Sequence, residues 1–190
     1  MVAEWLMQHE SERLMLLSRS GRVSGVSAVS WVGLCSASGS VRIEQCDVAA
    51  SARSDRTNGS MVHCTGVLAD ALLVNQTQAG LQRVWAPKVM AAWRPSTARG
   101  LSGCTLFSSV SALLGGPGQA NYAAANACLD ALSLCHRACS RVGMAVQWGA
   151  WAEIGMAARG AAAARMAAME AATGFGRISP AHGLSALHLA

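Results

Sequence analysis

Lysine and tyrosine each occur once in this 190-residue chain, at Lys88 and Tyr122. Phenylalanine occurs twice, proline four times, and charged residues make up only 13%. With lysine this scarce and the arginines scattered, there is no dense basic run interleaved with aromatics, which argues against nucleic-acid binding. No long apolar run is free of helix breakers. Val23 to Val41 carries no charge but is rich in serine and glycine, and Leu101 to Cys128 contains Pro117 and several glycines. Neither reads as a membrane span. Glu4 interrupts the amino terminus before any apolar region, so no secretory signal is expected. The seven cysteines form no Cys-x-x-Cys pair, and their number is odd. Cys135 and Cys139 flank His136 on an expected helix, where thiols read as small apolar residues rather than metal ligands. No metal site is expected. The compartment is expected to be reducing, the cytoplasm first and an organelle second.

What is present suits a buried sheet. Apolar residues are 52% of the chain, and its length fits one domain, 1–190. A helix is expected over Met1 to His9, and Arg13 to Ser18 reads as a buried strand. Gly25 to Gly39 is ambiguous. Val41 to Asp47 alternates as a strand, Ala49 to Ser60 is loop-like, and Met61 to Cys64 is a short strand. Ala69 to Val89 is expected to be helical, Pro95 to Gly103 a loop, and Cys104 to Ser108 a strand. A long helix is expected over Asn121 to Ser140, a strand over Met144 to Gly149, and helices over Gly160 to Ala172 and Ala181 to Ala190. This alternation predicts an α/β fold with a parallel, doubly wound, Rossmann-like sheet. The net charge of +5 favours an anionic partner, such as a phosphorylated cofactor or carrier.

The chemistry concentrates between Leu106 and Ala127. Ser109 ends an apolar stretch, at the carboxyl edge of the expected sheet, where open α/β sheets bind ligands. Tyr122 and Asn126 are four residues apart and share a helix face. Ser109, Tyr122 and Asn126 together suit protonation of a carbonyl oxygen while hydride arrives at carbon. An unperturbed phenol, with a pKa of about 10, releases its proton poorly at neutral pH. A nearby cation would favour the phenolate, and Lys88, in Ala86-Pro87-Lys88-Val89, is the candidate. Taken singly, each of these residues has a plainer reading: a packing tyrosine, a solvated lysine, a helix-capping serine.

Five blocks in order carry a resemblance. They are Trp5-Leu6 with Leu16-Leu17-Ser18-Arg19-Ser20-Gly21, then Cys46-Asp47-Val48, then His63-Cys64-Thr65-Gly66-Val67-Leu68, then the Ser109 to Asn126 stretch, then Gln147-Trp148-Gly149-Ala150-Trp151. Together they resemble the ketoreductase domain of modular polyketide synthases, within the short-chain dehydrogenase/reductase superfamily. Classical members carry lysine four residues after the tyrosine. Here that place holds Asn126 and the lysine comes earlier, which resembles the polyketide arrangement and disfavours a free-standing alcohol dehydrogenase.

The resemblance implies Tyr122 as proton donor, Ser109 on the substrate carbonyl, and Lys88 and Asn126 in support. It implies NADPH, with Arg19 and neighbouring Ser18 at the 2′-phosphate, Asp47 and Val48 beside the adenine, and Gly66 in the tight backbone site. Cys64 and Thr65 depart from the family's His-Ala-Ala-Gly. Leu68-Ala69-Asp70 resembles the Leu-Asp-Asp fingerprint of B-type enzymes, with Asp70 retained. Leu114, Pro117 and Asn121 agree with that type, which gives the D-configured β-hydroxyacyl product. Trp148 and Met156 are expected on the acyl side of the cleft, under a lid formed by the helix after Gly160. The implied partners are an acyl carrier protein bearing a phosphopantetheine-bound β-ketoacyl chain and neighbouring synthase domains.

The family's first strand and glycine-rich phosphate loop find no counterpart near Met1, and a final strand none near Ala190. The expectation is therefore an incomplete domain, in which Arg13–Ser18 and Met61–Cys64 lack their common neighbour. A helix is also expected to be lost between Asp47 and Met61. The rival expectation is a non-catalytic structural remnant of such a synthase domain.

Overall fold

Two short segments, Arg13–Ser18 (β1) and Ser40–Gln45 (β2), pair in parallel from Arg13↔Ser40 to Ser18↔Gln45. They belong to a computed structural model that describes residues 1–9, 13–20, 40–47, 59–96, 101–153, 155 and 160–189. The chain divides into two units, Met1–Ala52 and Arg53–Ala190. In the first unit, Val2–His9 (α1) holds a buried Trp5. Along β1, half-buried Leu14 and Leu16 alternate with exposed Met15 and Leu17, the period-two pattern of a strand with one covered face. The Cys46 N–H donates to Ser18 O at 2.9 Å and the Gln45 side chain to Arg19 O at 3.0 Å, which ties the carboxyl ends of the two strands together.

The second unit holds a three-stranded parallel sheet of order β3-β4-β5, with β3 at Gly59–His63, β4 at Leu101–Ser109 and β5 at Gly143–Trp148. Each unit thus has its own sheet among the described residues, in line with the expectation that Arg13–Ser18 and Met61–Cys64 share no neighbour. The helix Ala120–Ala138 (α5) covers β4 and β5. Its buried positions Asn121, Ala125, Asn126, Leu129, Leu132, Ser133 and His136 recur at three- and four-residue steps, forming one face. Leu129 and Leu132 join Ala92, Cys104 and Leu106 in the core, with Met61, Leu101 and Ala145 packed against it. Where α5 crosses β5 the backbones come so close that a Cβ on Gly143 would stand 2.6 Å from His136 Cβ. Only glycine fits there.

The segment Ala69 to Val89 departs from the helical expectation. Residues 64–72 form no helix, and a single 3-10 turn follows at Leu73–Asn75. The helix α2 (Gln78–Trp85) begins only at Gln78, capped by Thr77, whose hydroxyl accepts from Gly80 N at 3.0 Å. Leu72, Leu73 and Val74 give the segment its apolar look, yet all three are exposed. Beyond Trp85 the chain does not stop. It continues through a π turn, Ala86–Met90, into α3, Ala91–Ser96, with Pro95 inside that helix. Strand β4 begins at Leu101, inside the expected loop Pro95 to Gly103, because it pairs with β3 from Gly59↔Leu101 onward. The short helix Ser111–Leu114 (α4) follows β4. Gly160–Thr173 (α6) and Pro180–Leu189 (α7) stand as expected. Gly25 to Gly39 and the expected lost helix before Met61 lie outside the described residues.

Candidate functional site

Strand β4 delivers two serines with opposite orientations, as alternation requires. Ser108 is buried, and its hydroxyl donates to Asn126 O at 3.2 Å, which fastens the strand end to α5. Ser109 is half-buried, and its Oγ accepts from Ser111 N at 3.2 Å. On α5, the Asn121 side chain reaches back to Ala69 O at 2.7 Å while its Oδ1 accepts from Tyr122 N at 2.7 Å. One residue thereby anchors the first turn of α5 and orients the tyrosine. Asn126 is fully buried, and its Nδ2 donates to Tyr122 O at 2.9 Å, one turn back.

The phenol of Tyr122 feels opposing influences. Burial pushes its pKa up, as the largest effect, and the charge of Asp70 pushes the same way. Hydrogen bonds from Asn126 and Ser109 pull it down. The net direction is upward, so the phenol holds its proton at neutral pH. The expected lowering by Lys88 is therefore corrected. The ammonium does not meet the phenol oxygen. It lies over the ring, 5.2 Å from the centroid, and donates to Phe107 O at 3.0 Å. A cation over an aromatic face is attracted to the ring quadrupole, which is a different interaction from pairing with a phenolate.

Lys88 comes from the π turn and is 3% exposed. Burial lowers its pKa to about 8, against the raising effects of Cys64 and Asp130. It thus stays mostly protonated at pH 7. Behind it, His63 Nε2 donates to Lys88 O at 3.0 Å, and the Thr65 hydroxyl donates to Pro87 O at 2.7 Å. Burial first, and then the Lys88 charge, depress His63 to about 4, so its ring is neutral.

Ser109, Tyr122, Asn126 and Lys88 are thus assembled around one point at the carboxyl end of β4. Asp70 stands beside it, because Gln119 Nε2 donates to both its carboxylate oxygens at 3.3 and 3.4 Å and Ala71 N donates to Gly118 O at 2.9 Å. Gly118 allows that contact with a φ of 71° and its Cβ position 3.6 Å from the Ala71 backbone. Leu114 and Pro117 lie in the connection before α5, and both are exposed. Trp148 is buried, with Phe107 and Trp151 rings centred 5.2 and 5.1 Å from its own, which is a packing environment rather than a cleft wall. Its indole N–H has no partner. Gly66 follows β3 in the irregular segment.

In the other unit, Ser18 and Arg19 end β1 and Asp47 follows β2, at the carboxyl ends of parallel strands. Arg19 and Asp47 are exposed. Val48 and Met156 lie outside the described residues. A cavity of about 390 Å³ is lined by Leu81, Gln82, Trp85, Ala86 and Met90, and so does not coincide with the Tyr122 cluster. Among the described residues no group of His, Cys, Asp or Glu could hold a metal, and no helix is long and apolar enough to cross a membrane.

Three features of the site go beyond what the residue pattern suggests: His63 and Thr65 against the Lys88 turn, the Phe107 carbonyl on the ammonium, and Gln119 on Asp70. Pro87 directly before Lys88 is the available sign of an irregular helix, since proline gives no N–H.

The family model of the KR domain matches residues 1–153. The chain is 40% identical over 180 residues to the polyketide synthase GfsB of Streptomyces halstedii, which covers 87% of this chain and 3% of that protein. It is 34% identical over 170 residues to a mycocerosic acid synthase-like polyketide synthase of Mycobacterium tuberculosis, covering 82% of this chain and 8% of that one. Among solved structures, A-type ketoreductases from a modular polyketide synthase superpose with a TM-score of 0.86 at 30% identity, over 98% of this chain and 41% of theirs. The first ketoreductase of the tylosin polyketide synthase superposes with a TM-score of 0.82 at 31% identity, over 98% of this chain and 42% of its own. The chain therefore spans a small part of these curated relatives and under half of these two solved chains.

Proposed function

The chain belongs to the KR domain family, and from that premise we propose that it contributes the reducing centre of a polyketide synthase. The substrate is a β-ketoacyl thioester carried on the phosphopantetheine arm of an acyl carrier protein, and the product is the β-hydroxyacyl thioester. The observation that carries this reading is the Tyr122 phenol, kept protonated by burial and flanked by Ser109, Asn126 and the Lys88 ammonium.

The cofactor in this reading is NADPH, which supplies the hydride when bound. The donor set suits it: the exposed Arg19 guanidinium offers paired N–H donors to a 2′-phosphate, and Asp47 stands at the neighbouring strand end. Tyr122 gives its proton to the ketone oxygen. Ser109 donates a second hydrogen bond to that oxygen and stabilises the alkoxide as it forms. Lys88, largely protonated at neutral pH, lies over the Tyr122 ring while hydrogen-bonded to Phe107 O, and so holds the ring at the end of β4. Asn126 holds Tyr122 from the next turn.

Asp70, Leu114 and Pro117 support B-type delivery to the D-configured product, with Asp70 fixed by Gln119 beside the phenol. The solved structures that resemble the chain include proteins described as A-type and C2-type, so overall likeness does not separate the types. Work within a cytoplasmic synthase, beside its other domains, completes the proposal.

The test is a fluorescence titration with NADPH, followed by reduction of a β-ketoacyl thioester with chiral analysis of the product. Saturable binding and a D-configured alcohol are expected. Absence of binding would favour the rival reading, a structural remnant without catalysis.

A further inference from the structure

Thr65 is one of two places where the chain departs from the His-Ala-Ala-Gly pattern, and its hydroxyl makes a bond that alanine could not. It donates to Pro87 O at 2.7 Å, across 22 residues of sequence. His63 donates to the next carbonyl, Lys88 O, at 3.0 Å, and its Nε2 lies 3.3 Å from Thr65 Oγ1. Two side chains from the end of β3 therefore hold two successive carbonyls of the π turn. That turn is wide: Ala91 N–H bonds back to Ala86 O, a five-residue step. π turns are rare and have poorer geometry than α-helix, so one is retained where its surroundings fix it. Pro87 removes an N–H within it and fixes its own φ. The residue this turn drives inward is Lys88, whose Nζ reaches Phe107 O and the Tyr122 ring.

We propose that Thr65 is a positioning residue: together with His63 it staples the π turn from its carbonyl side and so fixes where the Lys88 ammonium stands against Tyr122. This deepens the reductase reading, on which the importance of Lys88 rests, but the staple itself is a property of the chain alone. A threonine here supplies by side chain a tether that the family's alanine lacks. Without it the Pro87 carbonyl loses its outside donor, the turn relaxes, and water gains access to the lysine.

The chain offers its own reporter, because Lys88 is its single lysine. Lysine labelled with carbon-13 at Cε gives one side-chain resonance, and its titration reports Lys88 without reference to activity. The wild-type midpoint is expected at about 8. Thr65→Val, which keeps the shape and removes the hydroxyl, is expected to raise it toward the ordinary lysine value of about 10.4. Thr65→Ser, which keeps the hydroxyl, is expected to titrate like wild type. Circular dichroism checks that each variant is folded, and Thr65→Ala is read in the same way if the valine variant is not. A hydroxyl-free variant that titrates like wild type, a serine variant displaced as far as valine, or a wild-type midpoint already at the ordinary value would each overturn the staple. Failure to reduce a ketone with this titration pattern intact would count against the reductase reading and leave the staple standing.

Discussion

The Lys88 ammonium lies over the Tyr122 ring, 5.2 Å from its centroid, while the same nitrogen donates to Phe107 O at 3.0 Å. One cation thus links the π turn, the end of β4 and the first turn of α5. The phenol and the ammonium are each held away from their ordinary pKa by burial, the phenol upward and the lysine downward. A protonated acid next to a mostly charged lysine is the resting state that a proton donor needs.

Arg19 should select the cofactor. In the proposed reading its guanidinium pairs with a 2′-phosphate that NADH lacks. Arg19→Ala is expected to weaken NADPH binding by about tenfold or more, the worth of one charge-assisted contact, and to leave NADH binding unchanged. Parallel fluorescence titrations with the two nucleotides check this. An equal loss for both would remove Arg19 from that role.

His63 should make stability depend on pH. Its folded pKa of about 4 lies below the ordinary 6.5, so the unfolded chain binds the proton first on acidification. Stability from this group is fully present above pH 6.5 and is lost as pH falls toward 4, by up to about 3 kcal/mol. The thermal midpoint of the wild type is expected to fall between pH 7 and pH 5. His63→Asn should be less stable at pH 7 and show a shallower slope over the same range. An unchanged slope would assign the dependence to other groups.

Gly143 should tolerate no side chain. A Cβ there would overlap His136, 2.6 Å away, within the α5–β5 contact. Gly143→Ala is expected to cost about 1–3 kcal/mol, as overpacking does, and urea unfolding measures it. A neutral result would mean that the helix shifts at no cost.

How much of this is legible in the residues follows from what kind of signal each position carries. Strands β3, β4 and β5 are legible because parallel strands read as short apolar runs, as does β1, although its Met15 and Leu17 are exposed rather than buried. Strand β2 is legible from its alternation, and α5 because its apolar period is long. The Ser109–Tyr122–Asn126 grouping follows from strand alternation and the four-residue helix step. The π turn is not legible, since a five-residue hydrogen bond has no residue pattern of its own, and so neither is the way Lys88 approaches the ring. Leu72, Leu73 and Val74 mislead because apolar residues are assumed to be buried, and here they are exposed. The resemblance alone places Trp148 in a cleft, while the ring contacts that bury it come from Phe107 and Trp151, one of them distant in sequence.

The central claim is that the Tyr122 phenol delivers the proton in ketone reduction. Tyr122→Phe removes one oxygen and leaves the ring beneath Lys88. Its rate of NADPH-dependent reduction of a β-ketoacyl thioester, measured beside its NADPH affinity, is the most direct test. The account predicts a loss of about 10²–10⁴-fold in turnover with nucleotide affinity retained, the usual contribution of a general acid. Turnover equal to that of the wild type would contradict it.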